Sequence, residues 1–231
     1  LSPVIPINAT SCYYMFSFCE TLIQLNLSKF DTSQVTDMIG MFHYCKSLTK
    51  LDLSNFDTSQ VTAMDKMFYG CYDLLKLNIN NFDTSQVTDM CCMFSNCKSL
   101  TQLDLSSFDT SAVISMSCMF SACESLTQLD LSNFDTDIVT NMNSMFYDCK
   151  ALTQLDISNF NTHNVDDTRW MFEHCEKLTT IYISNKWSMD RVTNAMDMFK
   201  ECYSLPGFSP EKTGIEMAKP TKQEGYLTLK K

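Results

Sequence analysis

Cysteine is the residue whose number and spacing in this chain first suggest chemistry beyond packing. There are twelve Cys, against three His. Thiolates are nucleophiles and metal ligands, and paired thiols form disulfides, so the intervals between them decide which chemistry is open. Cys19, Cys45, Cys71, Cys97, Cys123, Cys149 and Cys175 recur every 26 residues, and Cys202 follows one residue late. Each stands three residues after a Phe and three before a Leu, as in Phe42, Cys45 and Leu48. That setting favours a buried ladder of free thiols, which behave as small apolar groups. The best candidate pair for a disulfide, as the alternative, is Cys92 with Cys118, which share another repeat position on adjacent units and could satisfy the required Cα separation. A metal centre is disfavoured, because no C-x-x-C pair occurs and His43, His163 and His174 have no ligand spacing. His43 and His174 lie close to Cys45 and Cys175, but a stacked apolar ladder denies a thiol the open cleft that catalysis needs. The sequence therefore predicts no catalytic residue, no metal ligand and no cofactor.

Two polar columns share the period. Asp31, Asp57, Asp83, Asp109 and Asp135 are continued by Asn161. Like charges in a row repel, and the local explanation is that each side chain accepts backbone N–H bonds in the turn that follows, which Asn161 can also do. A calcium ladder is the sharper alternative, but the Gly-rich nonapeptide of calcium-binding β-helices is absent and only five Gly are present. Thr32, Thr58, Thr84, Thr110, Thr136 and Thr162 also align, as do Thr36, Thr62, Thr88 and Thr140 with Ile114 interrupting. Regular Thr arrays raise ice binding, whereas turn capping by the hydroxyls is the commoner use. Met41, Met67, Met93, Met119 and Met145 precede the Phe and are expected to fill gaps in the core.

The elements that position these columns follow from one repeated unit, L-x-x-L-x-L-S-x-F-D-T-S-x-V-T-x-M-x-x-M-F-x-x-C-x-S. Leu25, Leu51, Leu77, Leu103, Leu129, Leu155 and Ile181 mark seven copies. Trp187 takes the place of Phe30, Phe56, Phe82, Phe108, Phe134 and Phe160, so the extra residue lies near Lys186, and the register resumes at Val192. The L-x-L segment alternates as a short strand with Leu inward. Val61, Met64, Phe68 and Cys71 have spacings of a helical turn, although Val61 to Met64 could equally begin a second strand; extended then helical is the favoured reading. A lone unit buries too little to offset its ordering, so the units must stack. The expected fold class is an α/β repeat solenoid: a right-handed leucine-rich-repeat solenoid with a parallel concave β-sheet and short helical or extended convex segments. The division is a partial N-terminal repeat over 1–21, seven repeats over 22–204, and a C-terminal cap over 205–231, where Leu227-Thr228-Leu229 could close the last rung.

The units Leu51 to Phe68 (L-D-L-S-N-F-D-T-S-Q-V-T-A-M-D-K-M-F) and Leu103 to Phe120 (L-D-L-S-S-F-D-T-S-A-V-I-S-M-S-C-M-F) resemble the BspA-like leucine-rich repeat surface proteins, in the branch with 26-residue repeats described from mycoplasmas. The segments Met217-Ala218-Lys219-Pro220 and Gly225-Tyr226 look like that family's ending. The resemblance implies an extracellular or cell-surface location and an adhesive role, and it carries over no catalytic residue and no ligand.

The net charge of -10 disfavours nucleic acid as a partner, since phosphate binding is driven by clustered Lys and Arg. No run of 18 apolar residues occurs, so no membrane insertion is expected within this segment. The binding strip expected from the pattern consists of the outward residues of the strands: Lys50 and Asp52, Lys76 and Asn78, Gln102 and Asp104, Gln128 and Asp130, Gln154 and Asp156, Thr180 and Tyr182. Its expected ligand is an extracellular protein or glycan. The competing site flanks the Met-Phe pairs, at Tyr13, Tyr14, Tyr44, Tyr69, Tyr147 and Trp170. The rival functions are a structural spacer or stalk, a thiol- or metal-dependent activity, and ice binding.

Overall fold

In a computed structural model, residues 9–218 and 225–230 are described. Lys219 and Pro220 of the family-like ending, and residues 1–8 of the partial first repeat, lie outside them. The described chain is mostly non-helical, and its paired strands are parallel: β1 (Lys50–Asp52), β2 (Lys76–Asn78), β3 (Gln154–Asp156), β4 (Thr180–Ile183) and β5 (Leu227–Leu229). Leu51 sits opposite Leu77 and Leu155 opposite Ile181, so successive repeats are in register one period apart. A second line of parallel bridges runs Ser11, Asp37, Ala63, Asp89, Ser115, Asn141, Asp167, Asn194, which is the extended alternative for the Val-Thr-x-Met segment.

The expected helical turn does not form. The one helix among the described residues is a 3-10 turn over Ile215–Met217. From Met38 to Cys45, alternate residues divide their hydrogen bonds. The N–H groups of Met38, Gly40, Phe42 and Tyr44 donate to the carbonyls of Ala63, Asp65, Met67 and Tyr69 in the next repeat. Those of Met41, His43 and Cys45 donate three residues back. An α-helix needs every N–H for its own carbonyl four residues earlier, so a segment that sends half of them to its neighbour cannot be one. The same segments hold two columns of left-handed residues, including Lys66, Cys92, Cys118, Ser144 and Trp170 in one and Tyr44, Asn96, Asp148 and His174 in the other. Gly40 and Gly70 occupy these columns where a ring lies overhead: a Cβ at Gly40 would come within 2.5 Å of the Tyr14 ring, and one at Gly70 within 2.7 Å of Tyr44.

The strand line is also not the continuous sheet expected, because β1 and β2 form one piece and β3, β4 and β5 another. Where β1 meets β2, Asp52 faces Asn78 and accepts its amide at 3.0 Å. Across the interruption the outward residues are Asp104, Asp130 and Asp156, and like charges directly opposed weaken strand pairing.

Behind the strands, one core runs the length of the stack. Phe16, Phe42, Phe68, Phe94, Phe120, Phe146, Phe172 and Phe199 form a column of nearly parallel rings with centroids 5.5 to 5.9 Å apart. Met41, Met67, Met93, Met119 and Met145 are fully buried beside it. Trp187 is buried at the position otherwise held by Phe, and its indole N–H donates to the Ala218 carbonyl at 3.1 Å. The alternating segment near the C-terminus is β5, which pairs with β4, while Tyr226 packs on Phe199 at 5.3 Å.

Candidate functional site

The strands turn every second side chain away from the core, and that alternation exposes Lys50, Asp52, Gln102, Asp104, Gln128, Asp130 and Gln154, with Asp156 and Tyr182 partly covered. At one end these side chains line a groove of about 690 Å³ formed by Gln24, Lys50, Asp52, Lys76, Asn78, Gln102 and Asp104, floored by Leu25, Leu51, Leu75 and Leu77. Further along, Thr127, Gln128, Asp130, Thr153, Gln154, Asp156 and Tyr182 surround a shallower depression. Sequence reasoning missed Gln24 and the half-exposed Leu75, which sits one residue before the strand and so is hidden from a strand-only alternation. It also missed Lys230, which forms an ion pair with Asp156 from a different repeat position.

The carboxylates of this strip are held by their own turns. Asp52, Asp104, Asp130 and Asp156 accept the N–H of Ser54, Ser106, Ser132 and Ser158 at 3.0 to 3.1 Å. Hydrogen bonds from the Ser54 hydroxyl and backbone pull the Asp52 pKa down, and those from Ser106 and Ser132, backbone first, do the same for Asp104 and Asp130. At Asp156 burial pushes upward, but Lys230 and Ser158 together outweigh it and the pKa is lowered. The strip is therefore ionised well below neutral pH, with Lys50 and Lys76 as the positive charges at the groove.

The other columns have structural tasks. Asp31, Asp57, Asp83, Asp109 and Asp135 each accept the backbone N–H two residues on, at 2.9 to 3.0 Å, and Asn161 does the same at 3.2 Å, which is the local role expected of them. The main Thr column is buried and departs from expectation. Each hydroxyl donates to a carbonyl of the next repeat at 2.7 to 3.0 Å and accepts the N–H of that same residue at 2.6 to 2.9 Å. It bridges repeats instead of capping its own turn, and its burial removes it from any ice-facing surface. Asn55, Asn81, Asn133 and Asn159 form a further ladder, donating to backbone carbonyls of the preceding repeat at 2.6 to 3.2 Å.

The rival aromatic positions gather on the turn edge. Tyr14 and Phe18 pack on His43, and Tyr44 packs on Tyr69 and Tyr72, with ring centroids 5.2 to 6.2 Å apart. Tyr147 lies at the other end against His174 at 5.5 Å, and Arg169 stacks over Trp170 at 5.2 Å.

Of the ladder thiols, those from Cys45 to Cys202 are fully buried and donate to Phe carbonyls of the preceding repeat at 2.9 to 3.3 Å, while Cys19 at the end is exposed. Burial pushes the pKa of Cys45, Cys123 and Cys202 up to about 12, so these sulfurs remain protonated thiols. Eight of the twelve Cys are buried. In the native, reduced protein an aromatic disulfide reagent should thus titrate four thiols promptly (Cys19, Cys91, Cys92 and Cys118) and all twelve in denaturant. Prompt reaction of eight or more in the native state would contradict the packing described.

A comparison with curated proteins finds no match. Among solved structures, similarity extends to a leucine-rich cell surface protein from Faecalibacterium prausnitzii A2-165, at 17% identity, 86% of this chain, 69% of that one and a TM-score of 0.29. It extends also to the functional domain of InlJ from Listeria monocytogenes, which includes a cysteine ladder, at 17% identity and a TM-score of 0.27; 80% of this chain and 40% of that chain are covered. A family model matches over residues 10–128 and 100–207, and the chain therefore belongs to the family described as Mycoplasma protein of unknown function, DUF285.

Proposed function

We propose that this protein is a non-catalytic recognition module whose stacked repeats form a right-handed leucine-rich-repeat solenoid, with the strand strip on its concave side as the binding surface. The observation that carries this reading is the groove of about 690 Å³ in which charged and amide side chains from four successive repeats stand over a leucine floor. Extended surfaces made of one residue column per repeat are the usual ligand sites of such stacks. Lys50, Asp52, Gln102, Asp104, Gln128, Asp130, Gln154, Asp156 and Tyr182 are the contact residues. The repeated carboxylates suit an extended extracellular protein or glycan partner that presents positive charge along its length. A cell-surface location rests on the BspA-like resemblance of the repeat units.

The test is binding to a panel of matrix proteins and glycans, followed by the triple variant Asp104→Asn, Asp130→Asn, Asp156→Asn. Asn26 occupies the same column and already accepts the N–H of Ser28 at 3.0 Å, so Asn keeps the turn while removing the charge and, at Asp156, the ion pair with Lys230. Affinity for the captured partner should fall about tenfold at low salt, and its salt dependence should flatten. Retained affinity in this variant, with loss on replacing Tyr44, Tyr69 and Tyr147, would move the site to the turn edge. A panel without any binder would favour the spacer.

A further inference from the structure

Three thiols, Cys91, Cys92 and Cys118, occupy adjacent positions of neighbouring repeats on the turn edge, away from the strand strip and outside the buried ladder. Cys91 and Cys92 are neighbours in sequence and their sulfurs are 3.4 Å apart. Cys118 stands one repeat above Cys92, with the same left-handed backbone, φ 56° against 57°, and the N–H of Cys92 donates to the carbonyl of Ser117 at 2.9 Å. The Ser117 hydroxyl donates to the Cys91 sulfur at 3.1 Å. All three Cys are half-buried, unlike the fully buried thiols of the ladder. Among the described residues no group of three His, Cys, Asp or Glu is placed to hold a metal ion.

We infer that Cys91, Cys92 and Cys118 form a hydroperoxide-reactive relay in which Cys91 is the attacking thiolate and a reversible Cys92–Cys118 disulfide, fastening two adjacent repeats, is the product. The Cys91 thiolate attacks the peroxide: an S–O bond forms, the O–O bond breaks, and the departing hydroxide leaves as water after protonation. The Cys92 sulfur, giving up its proton, attacks the sulfenic sulfur of Cys91; an S–S bond forms and the S–O bond breaks, releasing a second water. The Cys118 thiolate then attacks the Cys92 sulfur and expels Cys91 as thiolate. Two thiols and one hydrogen peroxide thus give one disulfide and two waters, and Cys91 is regenerated. Adjacent repeats are spaced at about 4.8 Å, within the Cα separation that a disulfide spans. Passing the bond from the neighbouring pair to the stacked pair relieves the crowding of an eight-membered ring.

The electrostatics agree with the order of events. Hydrogen bonds from Cys92 and then Ser117 pull the pKa of Cys91 down to about 7 against its desolvation and the nearby Asp89 carboxylate, with a smaller contribution from Lys66. The Cys92 thiol is pushed up through its hydrogen bonds to Cys118 and Cys91, so it is the proton donor of the group. Cys118 is lowered by its hydrogen bond with Cys92. At pH 7 such a thiolate at Cys91 is about fifteenfold more populated than that of an ordinary thiol, and lower basicity takes back about fivefold in nucleophilicity. The net gain is about threefold.

The experiment treats the reduced full chain with stoichiometric hydrogen peroxide at pH 7, quenches by alkylation in denaturant, and maps tryptic peptides. Cleavage after Lys76, Lys98 and Lys150 separates Cys91 and Cys92 from Cys118. The expected result is a cross-linked pair of peptides joined through Cys92 and Cys118, formed about threefold faster than oxidation of an unstructured Cys peptide and reversed by dithiothreitol. Cys91→Ser should slow its formation severalfold, and Cys118→Ser should leave a dimedone-trappable sulfenic acid at Cys91 or a Cys91–Cys92 disulfide. Ser144 occupies the column of Cys92 and Cys118, and Ser117 that of Cys91, so serine fits these backbones. Absence of the cross-link, or a formation rate untouched by Cys91→Ser, overturns the proposal.

Discussion

Replacing Phe120 with Ala should lower the unfolding free energy by about 3–5 kcal/mol, the range for a large aromatic lost from a core that cannot collapse around the gap. Phe120 is fully buried, and its ring is stacked between Phe94 at 5.8 Å and Phe146 at 5.9 Å. The column prevents relaxation, because both neighbouring rings are pinned by rings of their own. The loss should also be uneven along the molecule. Each repeat is held mainly by the two beside it, so a weak central interface divides the stack into halves that can open separately. Both tryptophans, Trp170 and Trp187, lie on the C-terminal side of the substitution. In urea, Trp fluorescence and far-ultraviolet circular dichroism should report one shared transition for the unaltered protein and two separated transitions for Phe120→Ala. A single transition shifted by less than about 1 kcal/mol would show that the ring column is not what couples the repeats.

Thr110→Val should cost about 2–4 kcal/mol, although it changes neither volume nor shape appreciably. The hydroxyl of Thr110 donates to the Asp135 carbonyl at 2.7 Å and accepts the Asp135 N–H at 2.8 Å. Valine leaves both backbone groups of Asp135 without this partner; a fully buried unsatisfied polar group costs about 1–3 kcal/mol, and these two, being only partly buried, fall in the lower part of their combined range. Thr110→Ser keeps the hydroxyl and should lose less than about 1 kcal/mol. Thermal melts of the two variants side by side separate a bridging hydroxyl from a merely well-packed side chain, since equal losses would mean that packing alone is responsible.

The Thr bridges illustrate what could be read from the residues and what could not. The period of 26, the slip near Lys186 and the inward face of Leu-x-Leu are properties of one strand of sequence, and the backbone follows them at Leu51, Leu155 and Trp187. The Asp31 column was legible for the same reason, because an Asp that bonds the N–H two residues on needs no partner elsewhere in the chain. Thr58 bonds across to Asp83, and nothing local distinguishes that from a turn cap. The spacing of Val61, Met64, Phe68 and Cys71 fits a helix and a run of linked turns equally well, and the choice is made by the carbonyls of the next repeat. The interruption of the strand line depends likewise on which carboxylates come to face one another. On the candidate surface, the side chains of the strands follow from alternation, whereas Leu75 and Lys230 enter from outside it.

The hydrogen bonds that tie each repeat to the next, such as Phe42 to Met67 and Phe68 to Met93, join residues 25 apart. Parallel pairing ordinarily demands long loops that close slowly, yet here each closure spans one repeat and carries nearly the same entropic cost wherever it occurs. Lengthening such a chain adds closures without making any of them longer. Its relative contact order is roughly 0.1, the range of helical bundles and below that of most β-rich domains, so assembly should be limited by bringing the first two repeats together and then propagate quickly. The tail is the exception: Leu227 reaches back to Ile181, and Lys230 to Asp156, 74 residues away. Among the described residues those contacts close long loops, and they should form in the last step of folding.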